Sequence, residues 1–206
     1  MTSSTMQIPQ ASGLGPKTNN DFFLEIRFFS RGGQGGVSAA ELLAFAGMLQ
    51  GFETQAIPKY GAERKGAPLF ADLRLSNGPI RRHAPVVMSD ADQFIILEET
   101  LLEKLPSRFT RPVIVIVNTS TPPSDYRPIN AHIGYVDAYK IADETNLIKS
   151  GTRLVSSIML GAWSKATSTI SLENIEKAIV KKFSGATAEQ NLKAVRLAFD
   201  RFQFVS

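Results

Sequence analysis

Residues 28–51 have the sequence FFSRGGQGGVSAAELLAFAGMLQG, and this stretch decides the fold. It begins with apolar residues, passes through four glycines in RGGQGG, and ends in a run with apolar residues at helical spacing. The pattern predicts a β-strand over residues 23–29, a tight turn, and an α-helix over residues 37–50. Gly51 occupies the position of a C-cap glycine. A strand, turn and helix in this order indicate an α/β protein.

The rest of the chain extends this pattern to a sheet. The β-branched runs FIIL (residues 94–97) and VIVIV (residues 113–117) are typical of buried parallel strands, and a helix is expected between them over residues 99–105. Residues 69–75 alternate apolar and polar, and the turn SNGP follows them, so residues 69–82 are predicted to form a hairpin. Short strands are also predicted at residues 52–57 and 132–136. These elements predict an α/β sandwich with one inserted β-hairpin.

The pattern becomes helical from residue 138 to the end. Two helix starts are predicted there, at SLEN and at TAEQ. In the second, Thr187 and Gln190 have the spacing of a capping box. Trp163 has apolar neighbours at helical spacing, so we expect it to pack in the core or in an interface.

Composition and charge exclude several classes of function for this chain. The chain has 206 residues, 43% of them hydrophobic, and a net charge of 23 − 19 = +4, which does not indicate nucleic-acid binding. Because the chain has no cysteine, it cannot form disulfides, thiolate zinc sites or cysteine-ligated iron–sulfur clusters. No apolar run approaches the ~20 residues of a membrane helix. The start has no secretory signal pattern, so we predict a cytoplasmic protein with a polar tail over residues 1–20.

The glycine turn is suited to an anion. Backbone N–H groups at a helix N-terminus bind phosphate without special side chains, Ser38 could cap the helix, and Arg31 could add charge-assisted bonds. It is not a P-loop, because Val37 and Ser38 follow Gly36 where Lys and Ser or Thr belong. It is a poor dinucleotide fingerprint, because Ser38 takes the place of the last glycine. The alternative is that the glycines only make a tight turn.

A second loop, KYGAERKGAP at residues 59–68, is also unusual. Tyr60 could stack on a ring, and Arg64 and Lys65 could hold phosphates. Loops that follow adjacent strands of a doubly wound sheet share its carboxyl edge, where ligands bind, so the two loops are expected to meet. The alternative is an ordinary solvated loop in which Glu63 and Arg64 pair with neighbours.

Together, the two loops resemble the gamma subunit, or gamma domain, of the 2-oxoacid:ferredoxin oxidoreductases, the pyruvate:ferredoxin oxidoreductase family. The resemblance rests on RGGQGGVSAAELLAFAGMLQG and YGAERKGAP, and continues through FADLRLSNGPIRRHAPVVMSDADQFIILEETLL. It extends more loosely through GTRLVSSIMLGAW and NLKAVRLAFDR, and covers residues 22–203. The family turn usually begins with glycine, whereas this chain has Ser30. The family often has asparagine near Ser156 and Ser157, where this chain has none.

The resemblance implies a Rossmann-like three-layer sandwich with a mostly parallel sheet and a helical C-terminal part, in one gamma-type domain over residues 21–206. It implies a subunit of an enzyme that oxidatively decarboxylates a 2-oxoacid to an acyl-CoA, and that is inactive alone. The thiamine diphosphate, magnesium and iron–sulfur clusters would belong to alpha, beta and delta-type subunits, which pass electrons to ferredoxin or a flavoprotein.

In this enzyme the gamma subunit would help to form the coenzyme A site and the assembly interface. The resemblance places no catalytic or metal-binding residue in this chain. The residues expected to contact coenzyme A are Arg31, Gly32, Gly33, Gln34, Gly35, Gly36, Tyr60, Glu63, Arg64 and Lys65. Two alternatives stay open, a purely structural subunit of the same complex and an independent nucleotide-binding enzyme.

Acidic residues near the strand at residues 94–97 form a further candidate group. Asp90, Asp92, Glu98 and Glu99 could serve acid–base or magnesium chemistry. The simpler interpretation, which we adopt, is that Glu98 and Glu99 cap the helix that follows.

Overall fold

The structure of the chain is a computed structural model, which describes residues 22–58, 66–82 and 84–205. The predicted polar tail therefore lies outside the described residues, and the predicted domain limits stay a prediction. Among the helices that the structure describes, none combines the length and apolar content needed to cross a bilayer.

The elements follow one another largely as the sequence predicts. The first half of the chain contains β1 (Phe23–Arg31), α1 (Gly36–Gln50), β2 (Glu53–Pro58), β3 (Pro68–Ser76), β4 (Gln93–Ile96), a 3-10 helix (Glu99–Lys104), β5 (Arg108–Asn118) and β6 (Ile129–Val136). The second half contains α2 (Ala138–Glu144), β7 (Ile148–Lys149), β8 (Thr152–Arg153), α3 (Ser156–Thr167), α4 (Leu172–Lys182), α5 (Gly185–Arg201) and β9 (Gln203–Phe204).

The described part of the chain forms a seven-stranded sheet with the order β2-β3-β1-β4-β5-β6-β9, and β7 and β8 form a separate pair. β1, β4, β5 and β6 are parallel neighbours. β2 runs in the same direction as β1, because both are antiparallel to β3. The predicted α/β class with a mostly parallel sheet and C-terminal helices is confirmed. After β1 the chain forms β2 and β3 on one side of β1 in the sheet, and it then forms β4 on the other side of β1. The strand order therefore reverses between β1 and β4.

The hairpin of the sheet is not the one that the sequence predicts. β3 pairs with β2 and with β1, and residues 79–82 form no strand, so the predicted hairpin over residues 69–82 is wrong. β2 and β3 form the hairpin instead. β3 therefore separates β2 from β1, which the prediction treated as neighbours. The sheet also continues past β6 to β9, a short C-terminal strand in a region where the sequence pattern predicts only helices.

One face of the sheet, the helical face, is covered by α1–α5. Its buried side chains are mostly apolar, and Trp163 lies fully buried among them, as predicted for a core residue. The indole Nε1 donates a 2.6 Å hydrogen bond to Gln93 Oε1 at the start of β4. Gly161 lets α3 approach α5 closely, because a Cβ at this position would overlap the carbonyl group of Val195.

The opposite face is covered by the 3-10 helix and by an irregular stretch that we call the covering segment (residues 79–82 and 84–92). Two ion pairs link β1 to β3 beneath it. Arg27 binds Asp72 with an Nε–Oδ1 distance of 2.6 Å, and Arg74 binds Glu25 with an Nε–Oε1 distance of 2.8 Å. All four side chains are buried.

At the end of α1 and at the starts of α4 and α5, two predicted caps are confirmed and one is contradicted. Gly51 has a φ of 99° and its N–H donates to the last turn of α1, as predicted for a C-cap glycine. Ser171 accepts a bond from Asn174 N at the start of α4, as SLEN indicated. The capping box at Thr187 is wrong, because α5 already begins at Gly185 and Thr187 lies inside its first turn.

Candidate functional site

The candidate site lies at the carboxyl edge of the parallel strands, where the strand order reverses between β1 and β4. Ligands of open α/β sheets bind at such a point, because the connections leave in opposite directions and open a crevice. The glycine turn follows β1, residues 97–100 follow β4, and Tyr139 follows β6. Three strand ends therefore bring their side chains to one place.

The glycine turn has a defined backbone. Gln34 N donates to Arg31 O over 3.0 Å, and Gly33 has a φ of 97°, which is the positive φ that the third residue of a type II turn requires. Gly35, with a φ of 84°, is the N-cap of α1, and Ala39 N donates to its carbonyl. The predicted capping role of Ser38 is therefore wrong. The N–H groups of Gly36, Val37 and Ser38 are in the first turn, where helix geometry provides no intrahelical acceptor.

Two close contacts hold the start of α1 in place. A Cβ at Gly36 would overlap the side chain of Ser30, and a Cβ at Gly35 would lie 3.2 Å from Ser156 Oγ. Ser30 Oγ donates to Leu69 O on β3 at 3.3 Å. Ser30 therefore ties the turn to β3, and only glycine fits at position 36 beside it.

Arg31 links the end of the second loop to the residues that follow β4. Its Nη1 donates to Gly66 O at 3.0 Å, at the end of the second loop, and its Nη2 donates to Thr100 Oγ1 at 2.8 Å, beyond β4. Gly32 N also donates to Ala67 O, and Gly66 N donates to Gly32 O. The glycine turn and the described end of the second loop therefore lie side by side at this edge, as the sequence predicts for the two loops.

The side chain of Gln34 points into a hydrogen-bonded network. Its Oε1 accepts a 2.7 Å bond from Arg31 N, and its Nε2 lies 2.9 Å from Glu98 Oε2 and 2.8 Å from the Tyr139 hydroxyl. The Tyr139 hydroxyl donates to the same Glu98 oxygen over 2.6 Å. Burial and the bond to the Glu98 carboxylate raise the pKa of Tyr139 well above its usual range, so the phenol stays protonated and donates.

Comparison with known proteins agrees with this architecture. Residues 25–201 match the profile of the pyruvate ferredoxin/flavodoxin oxidoreductase family. The chain belongs to this family. It is similar to the pyruvate/ketoisovalerate oxidoreductases common subunit gamma of Pyrococcus abyssi, with 38% identity over 87% of this chain and 97% of the relative.

Solved structures of such proteins have the same fold. The crystal structure of pyruvate oxidoreductase subunit PorC from Thermotoga maritima superimposes with a TM-score of 0.73 and 31% identity, over 89% of this chain and 99% of that one. A 2-oxoglutarate:ferredoxin oxidoreductase from Magnetococcus marinus superimposes with a TM-score of 0.64 and 21% identity, over 86% of this chain and 30% of that one. The chain is thus a gamma-type subunit of a 2-oxoacid oxidoreductase, which confirms the predicted family.

The structure brings together part of the predicted site of this gamma-type subunit. Arg31 and the turn residues up to Gly36 surround the N-terminus of α1, although the side chains of Arg31 and Gln34 are held by protein groups. Tyr60, Glu63, Arg64 and Lys65 lie outside the described residues, so their part of the predicted site stays a prediction. The residues that the structure describes contain no cluster of His, Asp and Glu that could hold a metal ion.

Sequence reasoning missed two members of the network. Glu98 was predicted to cap the following helix, but it makes no side-chain capping bond there and contacts Gln34 and Tyr139 instead. Tyr139 was not singled out, although it lies in the first turn of α2, three residues after the end of β6, and therefore at the carboxyl edge. The sequence does contain an indication of this role for Tyr139. It follows a parallel strand, and residues after parallel strands all lie at the carboxyl edge of the sheet.

Proposed function

We propose that this gamma-type subunit contributes the phosphate-binding part of the coenzyme A site in a multi-subunit 2-oxoacid oxidoreductase. In that complex a 2-oxoacid would be oxidatively decarboxylated and the acyl group passed to coenzyme A. This chain would bind and orient coenzyme A and would form part of the assembly interface. We do not expect it to be active alone. The predicted cytoplasmic location belongs to the same proposal.

The observation that carries the proposal is the first turn of α1 at the crevice between β1 and β4. The N–H groups of Gly36, Val37 and Ser38 are in this turn, and the partial positive charge of the helix N-terminus adds to them. Coenzyme A contains a diphosphate and a 3′-phosphate, so it presents the anions that such a turn binds. The guanidinium of Arg31 next to the turn adds a full positive charge.

The remaining cofactors would be held by partner subunits. The chain has no cysteine to ligate an iron–sulfur cluster, which is consistent with clusters in other chains. We propose alpha, beta and delta-type partners that hold thiamine diphosphate, magnesium and the clusters and that reduce ferredoxin or a flavoprotein. The Magnetococcus relative was solved with 2-oxoglutarate, coenzyme A and succinyl-CoA bound, which motivates coenzyme A as the first ligand to test.

The test is steady-state kinetics of the assembled complex with the Arg31→Gln subunit. Loss of one charge-assisted phosphate contact should raise KM for coenzyme A about tenfold to a hundredfold, because such a bond contributes roughly 1.5–3 kcal/mol. KM for the 2-oxoacid should not change. Arg108→Gln is the matched control, because Arg108 is an exposed arginine at the start of β5, on the opposite edge of the sheet.

Other outcomes favour the alternatives. A complex that assembles normally and has an unchanged KM for coenzyme A would indicate a purely structural subunit. A tagged chain that purifies from native extract without thiamine-diphosphate and iron–sulfur subunits, and that turns over a nucleotide alone, would indicate an independent enzyme.

A further inference from the structure

Gln34 lies in the glycine turn, but its side chain is fully engaged by protein groups. The residue is 8% exposed, its Oε1 accepts from Arg31 N, and its Nε2 donates to Glu98 and to Tyr139. An amide side chain has two N–H donors, and both have partners here. Gln34 therefore has no donor left for a ligand, although it is among the residues expected to contact coenzyme A.

The bonds around Gln34 close a ring across the crevice. Arg31 Nη2 donates to Thr100 Oγ1, and Thr100 Oγ1 lies 3.4 Å from Glu98 Oε1. The other carboxylate oxygen of Glu98 accepts from Gln34, whose Oε1 accepts from the backbone N–H of Arg31. The ring thus joins the end of β1 to the residues after β4.

Tyr139 ties this ring to the C-terminal half of the chain. Its hydroxyl bonds to both Gln34 and Glu98. The guanidinium of Arg153 lies 5.7 Å from the centre of the Tyr139 ring, and Asp143 holds Arg153 with an Nε–Oδ1 distance of 2.7 Å. These contacts fix the position of the phenol.

We propose that Gln34, Glu98 and Tyr139 are positioning residues, which hold the glycine turn so that its amides meet the phosphates of coenzyme A. This inference rests on the proposed function. The bond from Arg31 N to Gln34 Oε1 fixes the backbone on one side of the turn, and the two bonds from Nε2 fix Gln34 itself. The bonds from Gln34 and Tyr139 hold the Glu98 carboxylate in place. Because this carboxylate would repel an approaching phosphate, it confines the anion to the amide side of the turn.

The contact between Gln34 and Glu98 can be tested by exchanging these two side chains. Gln34→Glu replaces the Nε2 donor by an oxygen and places two carboxylates in contact, so KM for coenzyme A in the assembled complex should rise about tenfold or more. KM for the 2-oxoacid should stay unchanged. The double variant Gln34→Glu, Glu98→Gln restores one donor and one carboxylate at the same contact, so most of the affinity for coenzyme A should return. A merely space-filling role would show no such rescue.

Two further variants keep the proposal falsifiable. If the Gln34→Glu subunit does not assemble, Tyr139→Phe removes only a hydroxyl, and it should raise KM for coenzyme A about threefold to tenfold. Gly33→Ala strains the turn without a steric clash, because a Cβ there meets nothing within 4 Å. If Gly33→Ala raises KM for coenzyme A while Gln34→Glu and Tyr139→Phe do not, the positioning role is wrong and the proposed function stands. If neither these variants nor Arg31→Gln changes KM for coenzyme A, the proposed coenzyme A site itself is wrong.

Discussion

The helical face of the sheet and the face under the covering segment are both buried, but different interactions stabilise them. The helical face contains mostly apolar side chains with neutral hydrogen bonds, such as the one between Trp163 and Gln93. The opposite face also has a buried apolar cluster, which includes Phe94 and Val115, but it adds the buried ion pairs Arg27–Asp72 and Arg74–Glu25. Helices satisfy their own backbone groups internally, whereas an irregular segment needs donors from elsewhere. The difference follows from what covers each face.

The buried arginines supply these donors. Arg74 donates to the carbonyl of Arg82 over 2.8 Å and to that of Ala84 over 2.5 Å, and Arg27 donates to the carbonyl of Val86. A guanidinium has five N–H groups in a planar fork, so one side chain can bind a carboxylate and carbonyls together. The charged residues of β1 and β3 thus hold the covering segment on the sheet.

The largest expected effect is the loss of a charge beneath the covering segment. Arg74→Met keeps an unbranched apolar stem but removes the guanidinium, so the Glu25 carboxylate and the carbonyls of Arg82 and Ala84 lose this donor. We expect the free energy of unfolding to fall by about 3–5 kcal/mol. Urea unfolding followed by the fluorescence of Trp163, the single tryptophan, measures it.

Lys177→Ala is the control for that comparison. It breaks the exposed ion pair between Lys177 and Glu173 on α4, which solvent screens, so the unfolding midpoint should not change. If the urea midpoint of Arg74→Met also stays at the wild-type value, the buried pair has no stabilising role.

The second effect is a pH dependence of stability that arises at Asp92, the last residue of the covering segment. Burial raises the pKa of Asp92 to about 6, although the N–H of Glu25 and the charge of Arg111 oppose the shift. In the pH range from about 4 to 6 the folded chain keeps a proton that the unfolded chain has released. The contribution of Asp92 to stability is therefore complete below pH 4 and is lost as the pH rises through 6, by up to about 3 kcal/mol.

Asp92→Asn isolates this contribution. Urea unfolding at several pH values between 4 and 7 should show a smaller fall of stability with rising pH in the variant than in the wild type. Asp90, Glu25, Arg82 and Arg111 also face this region and are kept in both proteins. Parallel stability curves for the two proteins would show that Asp92 titrates normally.

The smallest effect concerns packing on the helical face. Gly161→Ala places a methyl group against the backbone of Val195, so α3 and α5 must separate. We expect a loss of about 1–3 kcal/mol by overpacking. Gly78→Ala is the matched control, since a Cβ there meets nothing within 4 Å and its φ is not in the left-handed region. Equal thermal midpoints for the two variants would show that the contact between the helices adapts freely.

The sequence predicts the elements with strong local patterns and misses the pairings between distant ones. β1, β4 and β5 follow from continuous apolar runs, and α1 follows from its periodicity between two glycine positions. The alternation around Asp72 and Arg74 suggested a polar face and a hairpin with residues 79–82. In the structure both charges are buried against β1. An alternating pattern shows which residues share a face, but it does not show what covers that face.

The local and the long-range parts of the candidate site differ in the same way. The sequence by itself determined the glycine turn and the start of α1, because glycine permits the positive φ values at Gly33 and Gly35 that a turn between strand and helix requires. Only the tertiary structure decided that Gln34 meets Glu98, 64 residues away, and Tyr139, 105 residues away. Those contacts depend on the strand order, which places the ends of β1, β4 and β6 at one edge. Strand order is set by packing across the whole sheet, and no short stretch of sequence contains it.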